Sequence, residues 1–194
     1  MRMFVAVELD DATRAAVVAE QQRALTRSRP KPSLRLIDPR RIHLTLAFLG
    51  EVAPPLSDQV VEAMGQAIPE IAPFRLAIGG LGTFPPRGAP RVLWLGIVAG
   101  VHETVALQSA LARRLRALGA DLEDRPFRPH VTIGRFKAAR PSDRIAAADA
   151  NANARSREGV ATMMVDRVTL FESRLSSKGA SHFSLAQAQL STSP

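Results

Sequence analysis

Two strings in this chain nearly repeat: "RIHLTLAF" from Arg41 to Phe48 and "RPHVTIGR" from Arg128 to Arg135. Both read Arg-x-His-apolar-Thr-apolar. A strand sends successive side chains to opposite faces. His43 and Thr45 therefore share one face, and Leu44, Leu46 and Phe48 the other; His130 and Thr132 likewise oppose Val131 and Ile133. Each copy predicts a strand with one core face and one face carrying titratable and hydroxyl groups. A single His-x-Thr strand is an ordinary structural pattern, because threonine suits strands. Two copies, each preceded by a strand–helix stretch, predict an internal duplication into two similar lobes rather than a short-period solenoid.

The flanking sequence fits that plan. "MFVAVEL" reads as a strand, and Asp10 or Asp11 can cap a helix through "ATRAAVVAEQQRALTRS". "LRLI" is a short strand. Leu56, Val60, Met64 and Ile68 recur at steps of four, the stripe of a helix facing a core. "FRLAIGGLGTF" and "PRVLWLGIV" read as strands around the turn "PPRGA". Leu107, Leu111, Leu115 and Leu118 stripe another helix, which Gly119 ends. The alanine-rich segment 142–159 predicts a helix plus loop, and "ATMMVDRVTLFES" and "SHFSLAQAQL" a closing pair of strands. Hairpins mixed with helical connections predict an α+β fold with mainly antiparallel sheets. At 194 residues, 46% of them hydrophobic, one bilobal domain over residues 1–194 is expected.

The formal net charge is +8, carried mostly by arginine. That favours an anionic partner such as nucleic acid or a nucleotide; the plainer reading is an arginine-rich solvated surface. There is no cysteine, which excludes disulfides, a thiol nucleophile and cysteine-ligated zinc. The opening "MRMFVAVELDDATRAAVV" lacks the form of a secretory signal, and no stretch reaches the roughly 20 apolar residues of a membrane span. A soluble, monomeric cytoplasmic protein without a membrane partner is the expectation.

If the lobes are related by an approximate two-fold, both His/Thr pairs meet in one cleft. Two imidazoles with ordinary pKa values near ~6.5 suit a general acid and a general base. Threonine hydroxyls can donate to phosphoryl oxygens as charge develops, and arginines can clamp phosphate. This equipment fits metal-free in-line attack on a phosphodiester, above all a strained cyclic one. Two histidines could also ligate zinc, but no HExxH and no clear acidic third ligand accompany them. There is no G-x-S-x-G elbow and no G-x-x-x-x-G-K-[ST] loop.

The tetrads "HLTL" at 43–46 and "HVTI" at 130–133 resemble the signature of the two-histidine (2H) phosphoesterases. "HLTLAFLGEV", "LGTFPPRGAPRVLWLGI", "RPFRPHVTIGRF" and "VTLFESRLSSKGASHFSL" narrow the resemblance to the RNA 2′,3′-cyclic phosphodiesterases, also called bacterial 2′-5′ RNA ligases. The resemblance implies a bilobal fold with outer helices and a central active-site groove. It implies RNA with 2′,3′-cyclic phosphate ends as substrate, no metal and no cofactor. It assigns His43 as proton donor, His130 as proton acceptor, and Thr45 and Thr132 as phosphate holders. Reverse joining of RNA ends through a 2′-5′ bond follows for a reversible catalyst. Arg128 is the foremost candidate substrate contact, followed by Arg135 and Arg41. Arg135 falls formally on the wrong face unless a bulge or twist brings it round. The chain departs from the family at Leu36, where a tryptophan is common, and at His182, where a tyrosine is common. Other readings are a cyclic phosphodiesterase for small nucleotides and a non-catalytic module that binds RNA ends. Phe48 and Trp94 are expected in the core, His102 on the surface, His182 in a structural role and Arg87 in a solvated turn.

Overall fold

Asp10 accepts the backbone N–H of Thr13 at 2.7 Å and so caps the first helix. It thereby divides strand β1 (Arg2–Glu8) from helix α1 (Asp11–Arg27). The structure is a computed structural model that describes residues 1–27, 34–68, 71–137, 140, 159–176 and 179–191. β2 (Leu34–Leu36) leads into a 3-10 turn at Pro39–Arg41 and then β3 (His43–Glu51). Helix α2 (Pro54–Ala67) follows, then β4 (Phe74–Phe84), β5 (Val92–Ala99), helix α3 (Val101–Ala117) and β6 (His130–Phe136). The closing strands are β7 (Ala161–Val165), β8 (Arg167–Ser176) and β9 (Gly179–Gln189). The stretch "ATMMVDRVTLFES" thus divides at Asp166, whose carbonyl accepts the Leu190 N–H at 2.7 Å. Of the alanine-rich segment, residues 142–158 lie outside the described residues.

The strands form one antiparallel sheet in the order β7-β4-β5-β6-β3-β1-β8-β9, with β2 added beside β6. The fold is α+β, and its duplication is visible in that order. β3 and β6 occupy the centre; β1 flanks one and β5 the other. In sequence, β1 leads through α1 to β3 just as β5 leads through α3 to β6. The halves join at a single bridged pair, Leu44 with Val131, and both residues are fully buried. The pseudo-two-fold passes through that pair. The helices cross over: α1 packs on β6 and β7, whereas α3 packs on β3 and α2, and α2 also reaches β9. Each half is thereby covered partly by the other's helix.

The main core lies on the helix side of the sheet. Met3, Val5 and Val7 supply it from β1, Leu44 and Leu46 from β3, Leu93 and Leu95 from β5, and Val131 and Ile133 from β6. Each such side chain contributes about 1.5–3 kcal/mol by leaving water. The opposite face carries a separate small cluster, Phe4, Ala6 and Phe171. That face also bears the two histidines.

Candidate active site

Antiparallel register places Glu8 opposite His43, Ala6 opposite Thr45, Val5 opposite Ala47 and Phe4 opposite Phe48. Leu46 has no partner in β1. It is the extra residue of a β-bulge, and beyond it the alternation of β3 is reversed. The second tetrad repeats the device: Gly96 faces His130, Trp94 faces Thr132 and Val92 faces Arg135, leaving Ile133 unmatched. Both bulges fall three residues after the histidine.

Register corrects two expectations and resolves a third; the bulges account for Phe48 and Arg135, and the regular pairing of Trp94 with Thr132 accounts for the tryptophan. Phe48 leaves the core face, joins His43 and Thr45, and is 63% exposed. Trp94 likewise lies on the histidine face beside Thr132, not in the core. Its ring rests on β4, where a Cβ on Gly82 would overlap it. The Trp94 indole nitrogen is buried without a hydrogen-bond partner among the described residues. Arg135, the pseudo-equivalent of Phe48, is carried round to the face of His130 and Thr132 and is exposed.

Local anchors fix both imidazoles in the same way. His43 Nδ1 lies 2.8 Å from the Arg41 carbonyl, and His130 Nδ1 lies 2.7 Å from the Arg128 carbonyl. A carbonyl only accepts, so each Nδ1 carries the proton and each Nε2 is left for chemistry. The 3-10 turn holds the first anchor. Asp38 caps it by accepting the Arg40 N–H at 2.9 Å. From α1, Arg14 donates to the carbonyls of Pro39 at 2.9 Å and Leu9 at 2.7 Å. Gln21, 1% exposed, donates to the bulge carbonyl of Ile133 at 2.7 Å and to Ile37 at 2.9 Å. One helix therefore positions both tetrads.

The Leu44–Val131 bridge sets the relation between the tetrads. Extending that register by one residue puts Thr132 opposite His43 and Thr45 opposite His130. All four side chains then stand on one face around the junction. Both threonines are half-buried, and neither hydroxyl has a hydrogen-bond partner among the described residues.

The two histidines have different surroundings. His43 stacks on Phe4 at 4.8 Å between ring centroids, with His182 at 5.3 Å and Phe171 at 6.2 Å. Burial pushes its pKa down from 6.5 to about 4, and His182 adds to the effect; the Arg41 carbonyl opposes it and Arg14 supports it weakly. The His182 pKa is also lowered, by burial and then by Arg41. His130 meets Phe84 edge-on at 5.0 Å and Trp94 at 6.2 Å.

The three candidate arginines are placed differently. Arg41 lies in the 3-10 turn rather than on β3, and its Nη1 donates to the Ala180 carbonyl at 2.9 Å. That contact ties the turn to the β8–β9 hairpin, which carries His182. Arg128 is exposed just before β6 and supplies the carbonyl that orients His130. His182, expected in a structural role, stands 5.3 Å from His43; the hints against that expectation are that it follows a glycine turn and occupies a position where the family commonly has a tyrosine. Among the described residues, no three His, Cys, Asp or Glu side chains gather as a metal-holding group. No described helix is long and apolar enough to cross a membrane.

The family model of the 2′-5′ RNA ligase superfamily matches residues 10–176. The chain belongs to this superfamily. A superfamily relative from Archaeoglobus fulgidus, named RNA 2′,3′-cyclic phosphodiesterase, is 33% identical over 73% of this chain and 76% of its own length. One of the same name from Thermus thermophilus is 36% identical over 73% and 71%. Another, from Geobacillus stearothermophilus, is 44% identical over 48% of this chain; the match spans 29% of that longer protein. The crystal structure of a Thermus thermophilus protein superposes with a TM-score of 0.81 at 30% identity, covering 98% of both chains. Escherichia coli LigT in apo form shares the fold, with a TM-score of 0.74 at 22% identity and 98% coverage of both.

Proposed function

We infer that this superfamily member opens 2′,3′-cyclic phosphates at RNA ends by general acid–base catalysis, leaving a 2′-phosphate and a free 3′ hydroxyl. The supporting observation is the paired anchoring of His43 and His130, each with Nε2 free, around a junction that also carries Thr45 and Thr132. The relatives named RNA 2′,3′-cyclic phosphodiesterase point to the same substrate. In this reading His130 Nε2 takes a proton from water as the water oxygen bonds to phosphorus. The P–O3′ bond breaks, and His43 gives its Nε2 proton to the departing oxygen. Thr45 and Thr132 donate to the non-bridging oxygens, and Arg128, Arg135 and Arg41 are substrate contacts in the surrounding groove. No metal enters the scheme. Afterwards both imidazoles exchange protons with solvent. The same sequence with an RNA 5′ hydroxyl in place of water, the P–O3′ bond again breaking, would form a 2′-5′ link.

The low pKa of His43 opposes a donor role at neutral pH. The substrate's charge offsets it. One phosphoryl negative charge about 4 Å away, at an effective dielectric near 20, favours the imidazolium by about 4 kcal/mol. That is comparable to the whole depression of His43. The acid is thus armed by the anion on which it acts.

The test is turnover of an oligoribonucleotide ending in a 2′,3′-cyclic phosphate, with chelator present. Wild type should open the ring to a 2′-phosphate. His43→Ala and His130→Ala should each lose roughly 10²–10⁴-fold in kcat. A near wild-type rate in either variant would remove that residue from the mechanism.

A further inference from the structure

β2 extends the catalytic face. It pairs antiparallel with the end of β6, with Leu34 opposite Phe136, Arg35 opposite Arg135 and Leu36 opposite Gly134. Cross-strand partners point to the same side of a sheet. The Ile133 bulge has turned Arg135 to the face of His130 and Thr132, so Arg35 stands on that face too. Both guanidinium groups are exposed, and neither has an ion pair or side-chain hydrogen bond among the described residues. Like charges directly opposite on paired strands repel. The adjacent groups on the same face, Val92 on β5 and Phe84 on β4, offer no carboxylate to relieve them.

We propose that Arg35 and Arg135 bind the internal phosphodiester one nucleotide upstream of the cyclic end. The proposal rests on the reading of the site as one that acts on RNA ends. Because Ile133 is the extra residue, Arg135 lies two pleat steps beyond Thr132, about 7 Å along β6. An oligonucleotide whose terminal phosphorus sits between the tetrads can therefore bring its next phosphate between these arginines. The pseudo-equivalent site in the other half has Phe48 in place of Arg135. The two ends of the groove therefore differ at this position, a paired arginine at one and an exposed phenylalanine at the other, which gives a bound strand a fixed direction. A cyclic mononucleotide has no second phosphate and cannot use the pair.

Arg35→Ala should lower kcat/KM on a short oligoribonucleotide 2′,3′-cyclic phosphate roughly tenfold or more, the loss of one charge-assisted phosphate contact. Turnover of a cyclic mononucleotide should stay within twofold of wild type. For the oligomer, the plot of log kcat/KM against log salt should flatten by about 0.7, one phosphate's worth on a single strand. Arg35→Lys should recover part of the loss. A labelled oligoribonucleotide ending in a 3′-phosphate reads the same contact without turnover, and its Kd should weaken to match. Equal losses on mononucleotide and oligomer, or no loss on the oligomer and in Kd, would overturn the proposal. If wild type opened neither cyclic substrate, the functional reading would fail, while the Kd comparison would still decide the role of Arg35.

Discussion

His43 is held in a setting that resists its charge. Phe4 stacks on one side, Phe171 lies beyond, and His182 sits edge-on at 5.3 Å. Burial is the larger reason that its pKa falls to about 4, and His182 is the second. The second cause can be removed separately. His182→Gln keeps a polar side chain in the hairpin and abolishes its charge. The His43 pKa, followed through its ring C–H resonances by NMR, should rise towards 6.5 in that variant. An unchanged or lower value would show that His182 exerts no electrostatic pressure on its neighbour. Nothing in the sequence near His43 signals this contact, because His182 arrives from a hairpin at the far end of the chain. The tetrads themselves were legible because alternation is a local rule and it was stated twice.

At the scale of elements, legibility ended at the bulges. Leu46–Ala47 and Ile133–Gly134 suit unbroken strands as well as bulged ones. The insertion becomes visible only against β1 and β5, whose pairing is not local. One extra residue in each strand moved Phe48 and Arg135 onto the face of the two histidines. The pairing of β2 with β6 was hidden for the same reason, and with it the placement of Arg35. The position of Trp94 depends on space left by a neighbouring strand. The space is Gly82, directly opposite in β4. Gly82→Ala would drive a methyl group into the indole, which must then lift off β4. Overpacking of this kind costs about 1–3 kcal/mol. The urea midpoint should fall, and the emission of this single tryptophan should shift as the ring moves. Combined with Trp94→Leu, Gly82→Ala should cost much less than it does alone, because the clash is gone. Simple additivity of the two substitutions would mean that the glycine serves some other purpose.

For the whole molecule, the desolvated histidine links function to stability. Unfolded His43 titrates near its ordinary 6.5, whereas folded His43 titrates at about 4. Between those values the unfolded chain binds more protons, so acid favours unfolding. The contribution is complete above about pH 6.5 and is lost as the pH falls through about 4. At pH 5 the loss amounts to about 2 kcal/mol, a sizeable part of the 5–15 kcal/mol typical of a domain. His182, also lowered, pulls in the same direction. The carboxylates of Asp38, Asp166 and Glu172 are held below their ordinary values by Arg40, Arg167 and Arg174, so their protonation takes effect only at more acid pH. The window from 6.5 down to 5 therefore belongs to the histidines. His43→Phe preserves the aromatic stack on Phe4 and removes the titration. Its stability, from urea midpoints at successive pH values, should slope less steeply than wild type from pH 6.5 to 5, with the two curves most alike in slope above pH 7. Parallel curves throughout would show that His43 is solvated enough to titrate normally. The argument that substrate charge must arm it would then lose its premise.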